Sequence, residues 1–120
     1  MDRYRFPILP IVAVLAATIG LPPGIESGAA GGRRITIDIR QFKFEPSKPL
    51  VRIGDMIVWR NRDIVPHTAT ARDGSWDSGI IEAGSAWQTT VTPTMLGGYF
   101  CAFHPSMTAS LARPAPPSPE

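Results

Sequence analysis

From Arg34 to Arg40, apolar Ile35, Ile37 and Ile39 alternate with polar Thr36, Asp38 and Arg40, and a repeat of two sends the two sets to opposite faces of an extended strand. A helix cannot satisfy that pattern, because its repeat is nearer 3.6. No other part of the chain outside the N-terminus carries a helical period either. Instead, short runs rich in β-branched and aromatic residues recur along the chain, separated by Gly, Pro and Asp. Leu50–Ile53 reads as a strand ending at a Gly54–Asp55 turn, and residues 55–61 read as the next. His67–Ala71 follows, then an Asp73–Gly74 turn, an edge strand at Ser78–Ile81, a strand at residues 85–92, and a last run from Tyr99 to Phe103 after Gly97–Gly98. Phe42 and Phe44 keep the period of two but on the opposite parity from Ile39, which predicts a bulge near Gln41. Many short strands of this kind predict an all-β Greek-key sandwich or barrel. Trp59, Trp76 and Trp87 are expected to supply bulk to its core or rim.

The sandwich cannot include the whole chain. Residues 1–30 hold two early arginines (MDRYR), an apolar run (FPILPIVAVLAATIGL) and a stretch of small residues (GIESGAAGG). That order predicts a secretory signal peptide cleaved after Ala29 or Ala30. The alternative is a membrane anchor, but the run is short for a bilayer span and is interrupted by Pro7 and Pro10 and closed by Pro22 and Pro23. Arg3 and Arg5 are split by Tyr4, so there is no twin-arginine pair and export of an unfolded chain is expected. The folded domain is placed at residues 34–112. The Pro-rich tail, 113–120, has too few backbone donors for a strand and is expected to be extended and disordered. Twelve basic against ten acidic residues leave a net charge of only +2, with no basic stripe to follow a phosphate backbone, so nucleic acid is not an expected partner.

Export makes the cysteine count informative. The chain has one cysteine, Cys101, and two histidines, His67 and His104. In an oxidising compartment an odd cysteine is a free reactive thiol, half of an intermolecular bridge, or a metal ligand. In the segment GGYFCAFHPSM, Cys101, His104 and Met107 fall at even spacing, so one loop can curl them around a single ion, with Pro105 stiffening the turn. His67 would join from a separate strand-to-loop junction. Each residue alone has a plainer role: a buried thiol or thioether fills space, and a buried histidine can simply be hydrogen-bonded. Taken together, a soft thiolate, two imidazoles and a thioether form the donor set of a trigonal copper site with a weak axial ligand, whereas structural zinc takes four firm Cys or His ligands. Tyr99 shares a strand face with Cys101 and should be buried with it.

The stretches FKFEPSKPLVRIGDMIVWRNRDIVPHTAT and GGYFCAFHPSM resemble the cupredoxins, and among them the small plastocyanin-like and amicyanin-like proteins. The resemblance covers residues 35–111. It implies an eight-stranded Greek-key β-sandwich binding one type 1 copper through His67, Cys101, His104 and Met107. It further implies an exported electron carrier, not an enzyme, that passes single electrons between larger redox partners and takes no small-molecule substrate. A monomer is expected, periplasmic or extracellular, tethered to a membrane if the N-terminal segment is retained. Thr68 stands where amicyanin has an asparagine joining the two ligand loops, and its hydroxyl is expected to take part of that role while its backbone bonds the Cys101 sulfur. Phe103, Pro66 and Pro105 would form an apolar docking rim around a partly exposed His104. Two alternatives stay open: a copper-delivery protein that carries no electrons, and a structural sandwich whose cluster holds zinc or nothing. A copper oxidase would need further histidines, which the chain does not have.

Overall fold

The strict alternation at Arg34–Arg40 produces the central strand of the larger of two sheets. The computed structural model describes residues 32–119, so the expected signal segment lies outside the described residues. Strand β1 (Arg34–Arg40) is joined by a tight turn to β2 (Lys43–Glu45), and β3 (Met56–Asn61) lies parallel to β1 on its other side. After β4 (Thr70–Ala71) comes β5 (Ala86–Thr90), which pairs antiparallel with β3 and completes a four-stranded sheet in the order β2-β1-β3-β5. A short 3₁₀ turn at Pro93–Met95 leads into β6 (Gly97–Phe100), which is flanked by β4 and β7 (Thr108–Leu111) in a three-stranded sheet. No α-helix occurs among the described residues. The expected all-β sandwich is the one found.

The two inner faces meet in one core. Ile37 and Ile39 on β1, Ile57 and Trp59 on β3, Tyr99 on β6 and Leu111 on β7 are all buried. Trp59 stands at its centre, with the rings of Trp87 and Trp76 5.2 and 5.5 Å away and Tyr99 edge-on at 5.8 Å. Its indole N–H donates to the Tyr99 hydroxyl at 3.2 Å, which satisfies both polar tips inside apolar surroundings. Trp76 and Trp87 are half-buried and pack on the core's edge, as the sequence suggested.

Three local expectations need correction. No bulge forms at Gln41: Arg40 pairs with Lys43, so Gln41 and Phe42 make a two-residue hairpin turn with φ of 52° and 59°. Both central residues are left-handed, the twist that suits a two-residue hairpin. The parity change is the same as a bulge would give, because Phe44 is buried while Phe42 is about half exposed (49%). Leu50–Ile53 is not a strand; Leu50 makes a single bridge to Ala112, and of its apolar residues only Val51 is buried. Ser78–Ile81 and the start of His67–Ala71 likewise reduce to a bridge, His67 with Ile81, while Thr70 of β4 makes a second bridge to Asp77. Some of their backbone groups pair with backbone, as Ser78 N–H with Ala69 O, and others with side chains, as where Ser78 Oγ accepts from the Ala69 N–H.

At the end of the sandwich where β3 begins, Asp55 is almost fully buried and accepts from the N–H groups of Arg33 (2.9 Å) and Arg52 (2.8 Å) and from the Arg33 guanidinium (3.2 Å). Burial pushes its carboxyl up, but these donors outweigh burial and hold it below the usual carboxylate range. A depressed carboxyl stabilises the fold above its unfolded value, about 3.9, and that contribution disappears as pH falls through the folded value. Asp55→Asn is expected to cost about 2 kcal/mol at neutral pH and to flatten the loss of stability on acidification. Denaturant titrations between neutral and acid pH check this; an unchanged acid slope in the variant would contradict it.

Candidate metal centre

The residues from Asn61 to His67 leave the end of β3 and are organised by Asn61. Its buried amide donates to the carbonyls of Val65 (2.8 Å) and Ile81 (3.0 Å), and its Oδ1 accepts from the Asp63 N–H at 2.9 Å. The His67 backbone then pairs with Ile81 in both directions. This fixes a fully buried imidazole at the mouth of the sandwich. The second contributor is the loop after β6. Its ends are tied by the Cys101 N–H to the Met107 carbonyl, and its interior by His104 N–H to Cys101 O and Met107 N–H to His104 O. A loop closed on itself in this way keeps Cys101, His104 and Met107 close together along the backbone. Cys101 and Met107 are buried and His104 is partly exposed. Tyr99, on β6 just before this loop, is buried, and lack of solvent pushes its phenol far above the ordinary value despite the Trp59 hydrogen bond.

The two loops converge on the thiol. His67 Nδ1 lies 3.7 Å and His104 Nδ1 3.8 Å from Cys101 Sγ, and the three donor atoms all fall within 4.8 Å of one another. With metal–nitrogen bonds of about 2.1 Å and metal–sulfur bonds of about 2.3 Å, an ion shared by one sulfur and one nitrogen needs those atoms about 3.6 to 3.8 Å apart for tetrahedral to trigonal angles. Both sulfur–nitrogen separations therefore match those that one shared ion requires. Sulfur, two imidazoles and the thioether of Met107, buried at the end of the same loop, suit copper better than structural zinc.

The residues around the donors fix their roles. The Thr68 N–H points at Cys101 Sγ (3.4 Å), and the Thr68 hydroxyl accepts from the Ala102 N–H at 2.8 Å while pairing with Thr70 Oγ1 at 2.9 Å. Threonine thus ties the His67 segment to the cysteine loop with both its backbone and its side chain. Asp63 takes a role that the sequence reading missed. Its carboxylate accepts from Gln41 N–H (2.7 Å) and Phe42 N–H (3.1 Å) and faces His67 Nε2 at 2.7 Å. Burial pushes this carboxyl up, but the Phe42, His67 and Gln41 donors outweigh burial and keep it ionised below the usual range. An ionised carboxylate can only accept, so Nε2 carries the proton and Nδ1 offers its lone pair toward the thiol. Nothing in the sequence singles out Asp63 except that it lies in the loop leading to His67. Phe42 was also missed: its ring stands edge-on to His67 (5.4 Å) and to His104 (4.8 Å). Of the expected rim residues, Phe103, Pro66 and Pro105 are exposed, and so is Ile64, at 95%.

A two-sheet sandwich with a buried thiol between two imidazoles on convergent loops is similar to the cupredoxin-like blue copper proteins, and His67, Cys101, His104 and Met107 form a candidate site for one type 1 copper. Among proteins of that kind, the chain is similar to amicyanin. It is 27% identical over 96 residues to amicyanin of Paracoccus denitrificans, covering 76% of this chain and 73% of amicyanin. The copper(I) form of an amicyanin variant superposes with a TM-score of 0.57 at 27% identity, over 71% of this chain and 85% of that one. A copper-containing nitrite reductase from Thermus scotoductus matches with a TM-score of 0.59 over 69% of this chain, at 19% identity, which shows a shared fold alone; the chain spans 23% of that enzyme's length. No protein-family model matches the chain.

Proposed function

We propose that the protein is a type 1 copper electron carrier of an extracytoplasmic compartment, with His67, Cys101, His104 and Met107 as ligands. The observation that carries this reading is the convergence of two imidazole nitrogens, from separate loops, at 3.7 and 3.8 Å from one buried thiol. Copper bound there supplies a centre that gains and loses one electron. Fast exchange requires that the ligands move little between the two states, and the residues around the donors are arranged to prevent movement. Asp63 fixes the His67 ring, Thr68 couples the two loops, and the closed backbone of residues 101–107 holds the other three donors. The chain has no histidine beyond these two, which leaves none for a second, catalytic copper.

His104 is the part of the site nearest solvent, and exposed Phe103, Pro66 and Pro105 lie on the loops beside it. In this reading they form the docking surface for a redox protein, and small apolar contacts of this kind suit brief encounters below about 1,200 Å². Residues 1–30 would be removed on export, residues 34–112 would be the copper domain, and 113–120 would trail as a disordered tail. Amicyanin-like cupredoxins are periplasmic, which agrees with such a signal. Reversible one-electron voltammetry of the copper-loaded protein is the test, and irreversible loss of copper on reduction would favour ion delivery instead. Phe103→Glu should leave the voltammogram unchanged while slowing reduction by a partner about tenfold or more; equal rates would reject this docking surface.

A further inference from the structure

We propose that Phe42 is a positioning residue of the metal centre, its ring braced against the His67 and His104 imidazoles by a left-handed turn that the Asp63 carboxylate holds in place. The inference rests on the copper reading above and adds to it a residue outside the ligand loops. Two features of Phe42 are otherwise unfavourable. Its φ of 59° lies in the region that glycine and asparagine occupy readily and a bulky side chain does not. Its ring is also about half exposed (49%), so burial in the core does not explain why phenylalanine stands there. Both make sense through its contacts. The ring is edge-on to His104 at 4.8 Å (85°) and to His67 at 5.4 Å (87°), while the two imidazoles are 5.2 Å apart.

The two histidines need bracing to different degrees. His67 is fully buried and already oriented by Asp63. His104 sits on the outer loop, and among the described residues no hydrogen bond holds its Nε2; its ring is kept in place by packing against Phe42 and His67 and by its approach to Cys101. Because Asp63 accepts from the Gln41 and Phe42 N–H groups as well as from His67, one carboxylate sets the turn that carries the brace and one of the rings that is braced. Strain retained at a site by surrounding contacts is a common mark of function.

Glycine at this position separates the backbone from the ring. Phe42→Gly relieves the left-handed conformation but removes the brace, so the thermal midpoint of the apo-protein should be unchanged or raised. The imidazole signals of His104 in its proton NMR spectrum should meanwhile broaden or average. Copper(I) affinity, measured by chelator competition on the exported full chain, should fall about tenfold, the scale of two lost edge-to-face contacts. Phe42→Tyr should keep affinity within about twofold, and Phe42→Leu should fall between. Wild-type affinity and sharp His104 signals in Phe42→Gly would overturn the proposal, as would a loss of affinity that tracks a lowered thermal midpoint. If the wild-type protein takes up no copper, the electron-carrier reading fails, and the His104 signals of the apo-proteins still decide whether Phe42 holds that ring.

Discussion

Replacing Trp59 by alanine is expected to lower the stability of the domain by about 4 kcal/mol, which in a domain of this size moves the thermal midpoint down by more than about 15 °C. The indole is fully buried and touches three aromatic rings, Trp76, Trp87 and Tyr99, and they cannot all close on the space it leaves. The Tyr99 hydroxyl would also lose its only donor among the described residues, adding the cost of a buried polar group without a partner. Trp59→Phe should cost less, about 1–2 kcal/mol, because it keeps most of the ring volume and loses the N–H. Because Tyr99 on β6 lies two residues before Cys101, the alanine variant should also loosen the copper site. Chemical denaturation of both variants measures this, and a loss under about 1.5 kcal/mol for Trp59→Ala would show that the aromatic cluster does not anchor the core.

The second large effect is expected at Asp63. Removing a carboxylate that orients a ligating imidazole typically weakens metal binding about 10- to 100-fold, and Asp63→Ala should fall in that range. Asp63→Asn separates charge from shape. The gap between three donors, Gln41 N–H, Phe42 N–H and His67 Nε2–H, is filled in the wild type by two acceptor oxygens. An amide offers one oxygen and turns an NH₂ group toward a donor, so at least one of the three contacts breaks. With its oxygen in the place of Oδ2, which serves both Phe42 and His67, the amide loses the Gln41 contact and the charge. Asp63→Asn should therefore fall between alanine and wild type in copper affinity, and it should destabilise the apo-protein through the β1–β2 turn as well. Titration with copper beside thermal unfolding of the metal-free forms checks both; wild-type affinity in the asparagine variant would show that His67 does not depend on the carboxylate.

The sequence made some parts of this structure readable and hid others for physical reasons. The alternation of Ile35, Ile37 and Ile39 identifies β1 because burial on one face imposes a period of two, and residues 55–61 and 85–92 are read in the same way. Leu50–Ile53 misleads because β-branched residues fit an extended chain whether or not a ladder forms; Leu50 and Ile53 remain exposed, at 55% and 43%. The turn at Gln41–Phe42 carries neither glycine nor asparagine. Its conformation is set by Asp63, a residue of a different segment, and a long-range cause of that kind leaves no local mark. The donor set was legible because cysteine and histidine are so scarce here that any site using them must use Cys101, His67 and His104. Asp63, Asn61 and Phe42 were not, since aspartate, asparagine and phenylalanine are ordinary residues and only folding brings these three to the site. Thr68 lies between: the resemblance made it a candidate for bonding the Cys101 sulfur and joining the two loops, but the partner of its hydroxyl, the Ala102 N–H, is visible only in three dimensions.

The central claim, that one buried sulfur and two imidazoles share a copper ion, is tested most directly by the visible spectrum of the copper(II)-loaded protein and its Cys101→Ser variant. The wild type should be intensely blue from the cysteine–copper bond, and the serine variant colourless at equal copper content. A colourless wild type, or a serine variant that keeps the band, would contradict it.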